Sequence, residues 1–246
     1  MEATRGVRVV EISGARRERT WATVPSVHFY DLYVNGKHVA ELKAMPASLR
    51  ELAVGFLLTN GYVSDHHILE RVDVSADRID VVADSEFDFQ YQYWKEKGVT
   101  PLDEIRLSRL RNGYTIPRER LFERIEQGFR RAVFYSEIGG TAFALLADDN
   151  GHTFIAEDVY PEAAIYKAVG KAVLVNFDMR RSFLFVSGCL LPEFVVYSAV
   201  LGIPVVGAYL GVPSLSIDIA ENVTGQTLFQ WDGERLRVFA SPARII

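Results

Sequence analysis

Between Phe194 and Ile217 the chain carries no charged side chain. A helix of that length would cross a bilayer. Gly202, Pro204, Gly207, Gly211 and Pro213 break it, because proline cannot continue a helix or a central strand and glycine weakens both. The run therefore divides into a helix, a short Val-rich strand and a loop. Strands covered on both faces read as continuous apolar stretches, so this feature marks the buried centre of an α/β domain.

With 246 residues, 49% of them hydrophobic and 24% charged, the chain can bury a large core without staples, as one large domain or two smaller ones. Lys and Arg number 27 against 32 Asp and Glu, a balance that argues against a dedicated binder of nucleic acid or of a membrane surface. One cysteine, Cys189, and five histidines allow neither an internal disulfide nor the usual zinc sites. A reducing, cytoplasmic setting is expected. Met1 to Val10 alternates Arg with Val and lacks an apolar core, so no export signal is expected.

Two units are expected, residues 1–112 and 113–246. In the first, Val27 to Val34 reads as a strand, Asn35-Gly36 as a hairpin turn and His38 to Met45 as the returning strand. Ser48 and Glu51 have the spacing of a capping box ahead of the stripe Leu49, Leu52, Ala53, Phe56 and Leu57, and Gly61 marks the stop. A short helix from Asp65 to Arg71 and strands near Val72–Ser75 and Arg78–Ala83 follow. This ββαββ order suggests a small α+β domain of the β-grasp kind. Asp84 to Asn112 keeps neither period and reads as an irregular, aromatic-rich excursion between units. Pro117 then opens a helix to about Phe129, and Arg106 to Arg131 holds eight arginines against three glutamates, a basic face that RNA or another anion would recognise.

The second unit alternates. Arg131–Glu137, Thr141–Ala147, Thr153–Ala156, Phe183–Val186, Ile203–Ala208, Thr227–Trp231 and Arg235–Phe239 read as strands. Helices are expected from Pro161 to about Val175, from Pro192 to Leu201, and from a cap at Ser214 to about Asn222. Strands separated by helices imply a parallel or mixed sheet with ligands at the strand carboxyl ends. Three turns lie there: Gly139-Gly140-Thr141, Ser187-Gly188 and Val212-Pro213-Ser214. Glu157-Asp158 precede a helix carrying Lys167 and Lys171, but no histidine lies near them as an acid–base partner. Cys189 has no identifiable base. His28, His38, His66, His67 and His152 show no ligand spacing.

At these turns the chain resembles the formate dehydrogenase accessory proteins of the FdhD/NarQ family, from about Val27 to the C-terminus. Val34-Asn35-Gly36, Met45-Pro46 and the segment from Glu51 to Leu58 followed by Gly61 look like its N-terminal signature. Gly139-Gly140 with Ala144 resembles its T-G-G-x-H-x-A motif. Glu157-Asp158-Val159 with Ala164, Lys167 and Gly170 resembles E-D-V-G-R-H-N-A-x-D-K-x-x-G. Ser187-Gly188 with Glu193 is similar to S-G-R-x-S-x-E, and Pro213-Ser214 to the A-P-T-S turn. Phe229-Gln230-Trp231 stands at F-x-R.

That resemblance implies a cytidine deaminase-like fold for the larger domain, though without H-x-E or P-C-x-x-C no zinc deamination is expected. It also implies a cytoplasmic homodimer that takes sulfur from a cysteine desulfurase as a persulfide and passes it to the guanylated molybdopterin cofactor of formate dehydrogenase. The carried-over cofactor-binding positions, for guanylated molybdopterin or a guanine nucleotide, are Gly139, Gly140, Thr141, Glu157, Asp158, Lys167, Ser187, Gly188, Pro213, Ser214, Phe229 and Trp231. The family's C-x-x-C loop belongs near Tyr91 to Val99, where this chain has no cysteine. Ala142, Tyr160-Pro161-Glu162-Ala163, Tyr166, Cys189 and Trp231 replace polar family residues. The resemblance then implies a divergent accessory protein or chaperone without its own persulfide, with no catalytic and no metal residue. The alternatives are sulfur transfer through Cys189 or a repurposed scaffold binding nucleotide or RNA.

Overall fold

The computed structural model describes residues 2–111 and 113–246; Met1 and Asn112, the ends of ranges drawn from the sequence, lie outside them. A hairpin of β1 (Thr4–Ser13) and β2 (Arg16–Pro25) comes first. Among the described residues it pairs only with itself in the sheet register. The Arg–Val alternation of the first residues is thus strand periodicity, which the sequence reading used only to dismiss an export signal.

β3 (His28–Val34) turns through Asn35-Gly36 into β4 (Lys37–Ala44). Both turn residues have positive φ, 49° and 75°, as a type I′ hairpin requires. Helix α1 (Leu49–Thr59) follows, then β5 (Leu69–Val74) and β6 (Arg78–Ala83). The four strands lie in the order β4-β3-β6-β5, with β3 and β6 parallel at the centre.

Local expectations fail at three points here. Ser48 is left-handed, at φ 54°, and its side chain caps nothing, because the chain enters α1 from Met45, whose backbone is held by distant residues described below. The helix expected over Asp65–Arg71 is one 3₁₀ turn, His66–Ile68, since Leu69 onward pairs with β6. The segment after Asp84 is not irregular: α2 (Ser85–Lys97) is capped by the Asp84 carboxylate and stopped by left-handed Gly98. Its aromatics broke the apparent periodicity by packing, Phe87 being buried and Trp94 meeting Tyr62 edge-on at 5.7 Å. A single turn, α3 (Pro101–Glu104), ends this stretch.

Next come α4 (Arg118–Arg131), α5 (Val133–Glu137), β7 (Ala142–Ala147), β8 (Thr153–Asp158), α6 (Pro161–Val173), β9 (Phe183–Val186), α7 (Pro192–Val200), β10 (Val205–Ala208), α8 (Ser214–Ile219), β11 (Thr227–Trp231) and β12 (Leu236–Ala240). Strand order is β12-β11-β10-β9-β7-β8, parallel across β9, β10 and β11 and antiparallel elsewhere. Arg131–Glu137 is helical rather than extended, because its first N–H groups are capped from β8, a partner remote in sequence. Ser214 lies inside α8, with Pro213 at its N-cap. The uncharged run becomes α7, β10, a loop and the start of α8, and no helix among the described residues is long and apolar enough to cross a membrane.

The large sheet is buried on both faces, and its side chains alternate between two cores with the strand period of two. Ala144, Leu146, Leu184, Val186, Val206 and Leu228 join a core that continues through α6 and α1 to the four-stranded sheet. Phe143, Leu145, Phe183, Phe185, Val205 and Phe229 join a second core beneath Leu121 and Ile125 of α4.

Candidate functional site

The start of β7 and the ends of β9, β10 and β11 meet at one end of the large sheet, because β7 runs against β9 while the other three are parallel. That register gathers all three predicted turns. The Leu210 N–H donates to Gly188 O at 3.1 Å, the Leu190 N–H to Gly211 O at 2.8 Å, and Cys189 bridges Gly211. Gln230 Nε2, from the end of β11, donates to Leu210 O at 2.7 Å. Gly139 and Gly140 are both left-handed, at φ 71° and 70°, a region glycine enters freely.

A Cβ added at Gly139, Gly188 or Gly211 would meet nothing within 4 Å. All three are open to solvent at this end of the sheet, which forms an exposed shelf of strand-end turns. Thr141 Oγ1 is buried beside it with no hydrogen-bond partner among the described residues, a group that ordinarily finds one. Leu191, Leu210 and Leu215 stand exposed around it, as does Cys189.

Other predicted positions carry structural contacts. The Ser187 hydroxyl accepts from the Phe143 N–H at 2.9 Å and locks the turn onto β7. Glu157 accepts from the Tyr135 N–H at 2.6 Å, with the Val133 and Phe134 N–H groups alongside, and so caps α5. Partial burial pushes its carboxyl above the usual range despite these donors and Lys171. The Phe229 ring occupies the space above Gly207, where a Cβ would lie 2.1 Å from it. Trp231 stacks on Phe122 at 5.4 Å.

Asp158 and Lys167 are fully buried and hydrogen-bonded at 2.6 Å. Lys167 Nζ also donates to Met45 O at 2.9 Å, and Asp158 accepts from the Met45 N–H at 3.0 Å and the Tyr160 N–H at 3.2 Å. Side chains of β8 and α6 thus clamp the backbone that leads into α1. Burial pulls Lys167 below the ordinary lysine range, with Asp158 opposing. Sequence reading placed Asp158 with Glu157 at a helix start and Lys167 on that helix, and did not reach Met45; only the family motif, which holds both, signalled their importance.

Half of the basic stretch is paired within α4: Arg118, Arg120, Arg124 and Arg130 share Glu119, Glu123 and Glu126, so the stretch keeps an excess of positive charge. Where the C-x-x-C loop was expected, the helix α2 packs Phe87 and Trp94 inward and holds no thiol.

These features define a mixed α/β protein whose strand-end loops build an open, glycine-floored shelf. Residues 28–246 match the FdhD/NarQ family, and the chain belongs to that family. A protein named sulfur carrier protein FdhD from Wolinella succinogenes is 28% identical over 227 residues, covering 87% of this chain and 79% of its own length. One of the same name from Methanothermobacter thermautotrophicus is 26% identical over 227 residues, covering 87% of each. The crystal structure of a Desulfotalea psychrophila protein assigned as a formate dehydrogenase accessory protein superposes with a TM-score of 0.81 over 100% of both chains at 22% identity, which shows a shared fold.

Proposed function

We propose that this chain is a cytoplasmic, homodimeric accessory protein of molybdoenzyme maturation that handles the guanylated molybdopterin cofactor, as cargo, without forming a persulfide on a C-x-x-C loop. Its two units, 1–112 and 113–246, then correspond to a β-grasp-like domain and a cytidine deaminase-like domain. The formate dehydrogenase and cysteine desulfurase partners come from the family. The observation that carries the reading is the shelf: three glycines with open space above them, next to the unsatisfied Thr141 hydroxyl. Gly139, Gly140, Thr141, Gly188, Pro213 and Ser214 line the cargo, while Glu157, Asp158, Lys167, Ser187, Phe229 and Trp231 hold the lining in place.

Equilibrium titration with GDP tests it. Saturable binding with Kd below about 1 mM, roughly 4 kcal/mol, is expected. Gly188→Val, whose side chain enters open space, abolishes it without unfolding the protein. No saturation at millimolar GDP overturns the nucleotide reading.

Cys189 supports a second reading, because the chain's single thiol is exposed on this shelf. Its thiolate would attack the outer sulfur of a desulfurase persulfide, forming Cys189–S–SH and releasing the desulfurase thiolate. Incubation with a cysteine desulfurase and cysteine, followed by intact mass, then shows one added sulfur in the wild type and none in Cys189→Ser. An unchanged mass in the wild type rejects sulfur transfer.

A further inference from the structure

His66 and His67, which show no ligand spacing as sequence, are brought together with Asp65 by the 3₁₀ turn. One donor atom from each residue lies within 4.8 Å of the other two. The Asp65 Oδ1 caps the turn by accepting from the His67 N–H at 2.9 Å. His66 Nδ1 stands 3.3 Å from that same oxygen. Two ligands bonded at about 2.0–2.1 Å to a tetrahedral centre are separated by about 3.3 Å, so this pair already has the spacing of a tetrahedral edge. The two imidazole rings lie 4.1 Å apart between centroids, and exposed His67 needs only a side-chain rotation to close the triangle.

A further feature separates this cluster from a mere capped turn. The Asn176 side chain, carried by a left-handed residue at φ 57° just past α6, lies beside the His66 imidazole. Ligating histidines characteristically have their ring fixed by such an outer partner. Asp65 and His66 also line a cleft of about 440 Å³ between α1, α2 and the large unit, with Glu86 and Gln90 on its wall.

We propose that Asp65, His66 and His67 form a divalent transition-metal site at the mouth of this cleft. Two imidazoles and one carboxylate select Zn²⁺, Co²⁺ or Ni²⁺ over Mg²⁺ and Ca²⁺, which demand more oxygen ligands. The site is separate from the shelf and from Cys189.

The test uses untagged, chelator-stripped protein titrated with Co²⁺, followed by Zn²⁺ competition. One equivalent per chain is expected, with the visible d–d absorption of a tetrahedral nitrogen–oxygen site, no thiolate charge-transfer band, and no change in Cys189→Ser. His67→Ala removes the saturable equivalent. Asn176→Gly, which retains the left-handed backbone, weakens it by about tenfold. Both variants keep the wild-type circular dichroism, so loss of binding is not loss of fold. No saturable Co²⁺ binding, or binding unaffected by His67→Ala, overturns the proposal.

Discussion

Gly55→Ala is expected to lower stability by about 3 kcal/mol, the upper end of ordinary overpacking. Its new Cβ would lie 1.8 Å from the backbone oxygen of Tyr166 on α6. No rotamer change relieves a clash with backbone, so the two helices must move apart. Gly170 on α6 makes the reciprocal approach, with a Cβ placed 2.0 Å from the Glu51 backbone oxygen. Gly170→Ala carries a similar cost. The double variant costs clearly less than the sum, because one separation of α1 from α6 accommodates both methyl groups. Urea denaturation of the three variants measures this, and each single variant lowers Tm by roughly 10 °C for a chain of this size. Additive losses would show that the two contacts relax independently.

These two glycines illustrate what the sequence held without explaining. Both stood in segments that carried the family resemblance, yet alone each reads as a mild helix weakener. Their meaning depends on two helices more than 100 residues apart in the chain meeting face to face. Local signals served well where local physics decides: Asn35-Gly36 formed its hairpin, and Phe183–Val186 and Thr227–Trp231 became strands as the apolar runs predicted. They failed where a remote partner decides. Val133–Glu137 has strand-like composition but is helical because Glu157 caps it across the sheet. The density of Phe, Tyr and Trp in α2 masked a helix whose Asp84 cap and Gly98 stop were readable. At the candidate site, the turns on the shelf were legible as glycine and proline at strand ends. That Ser187, Asp158 and Lys167 spend their polar atoms on the framework was not, since nothing local points Lys167 toward Met45. The Asp65–His67 cluster was hidden for the opposite reason: adjacent histidines match no spacing rule until a 3₁₀ turn brings their rings together.

Asp158→Ala is expected to cost about 3–5 kcal/mol, because it leaves the Lys167 ammonium buried without its counter-charge. Lys167→Met removes the counter-charge of Asp158 and leaves it only the Met45 and Tyr160 N–H groups as partners, and falls in the same range. The double variant Asp158→Asn/Lys167→Met removes both charges while keeping an acceptor for Met45, and loses at most about 1 kcal/mol. Hydrogen exchange localises the effect: protection of the Met45 amide is lost in Asp158→Ala and recovered in the double variant. The pair also leaves a mark on the pH profile. Burial holds Lys167 below the 10.5 of a free lysine, so above its native pKa the folded chain binds fewer protons than the unfolded one. Stability from this group therefore rises with pH between the native value and that of the free lysine. Lys167→Met abolishes that alkaline rise. If instead the wild type and Lys167→Met share one alkaline profile while Asp158→Ala remains stable, the charges are dispensable and hydrophobic packing of α1 on α6 alone joins the two sheets.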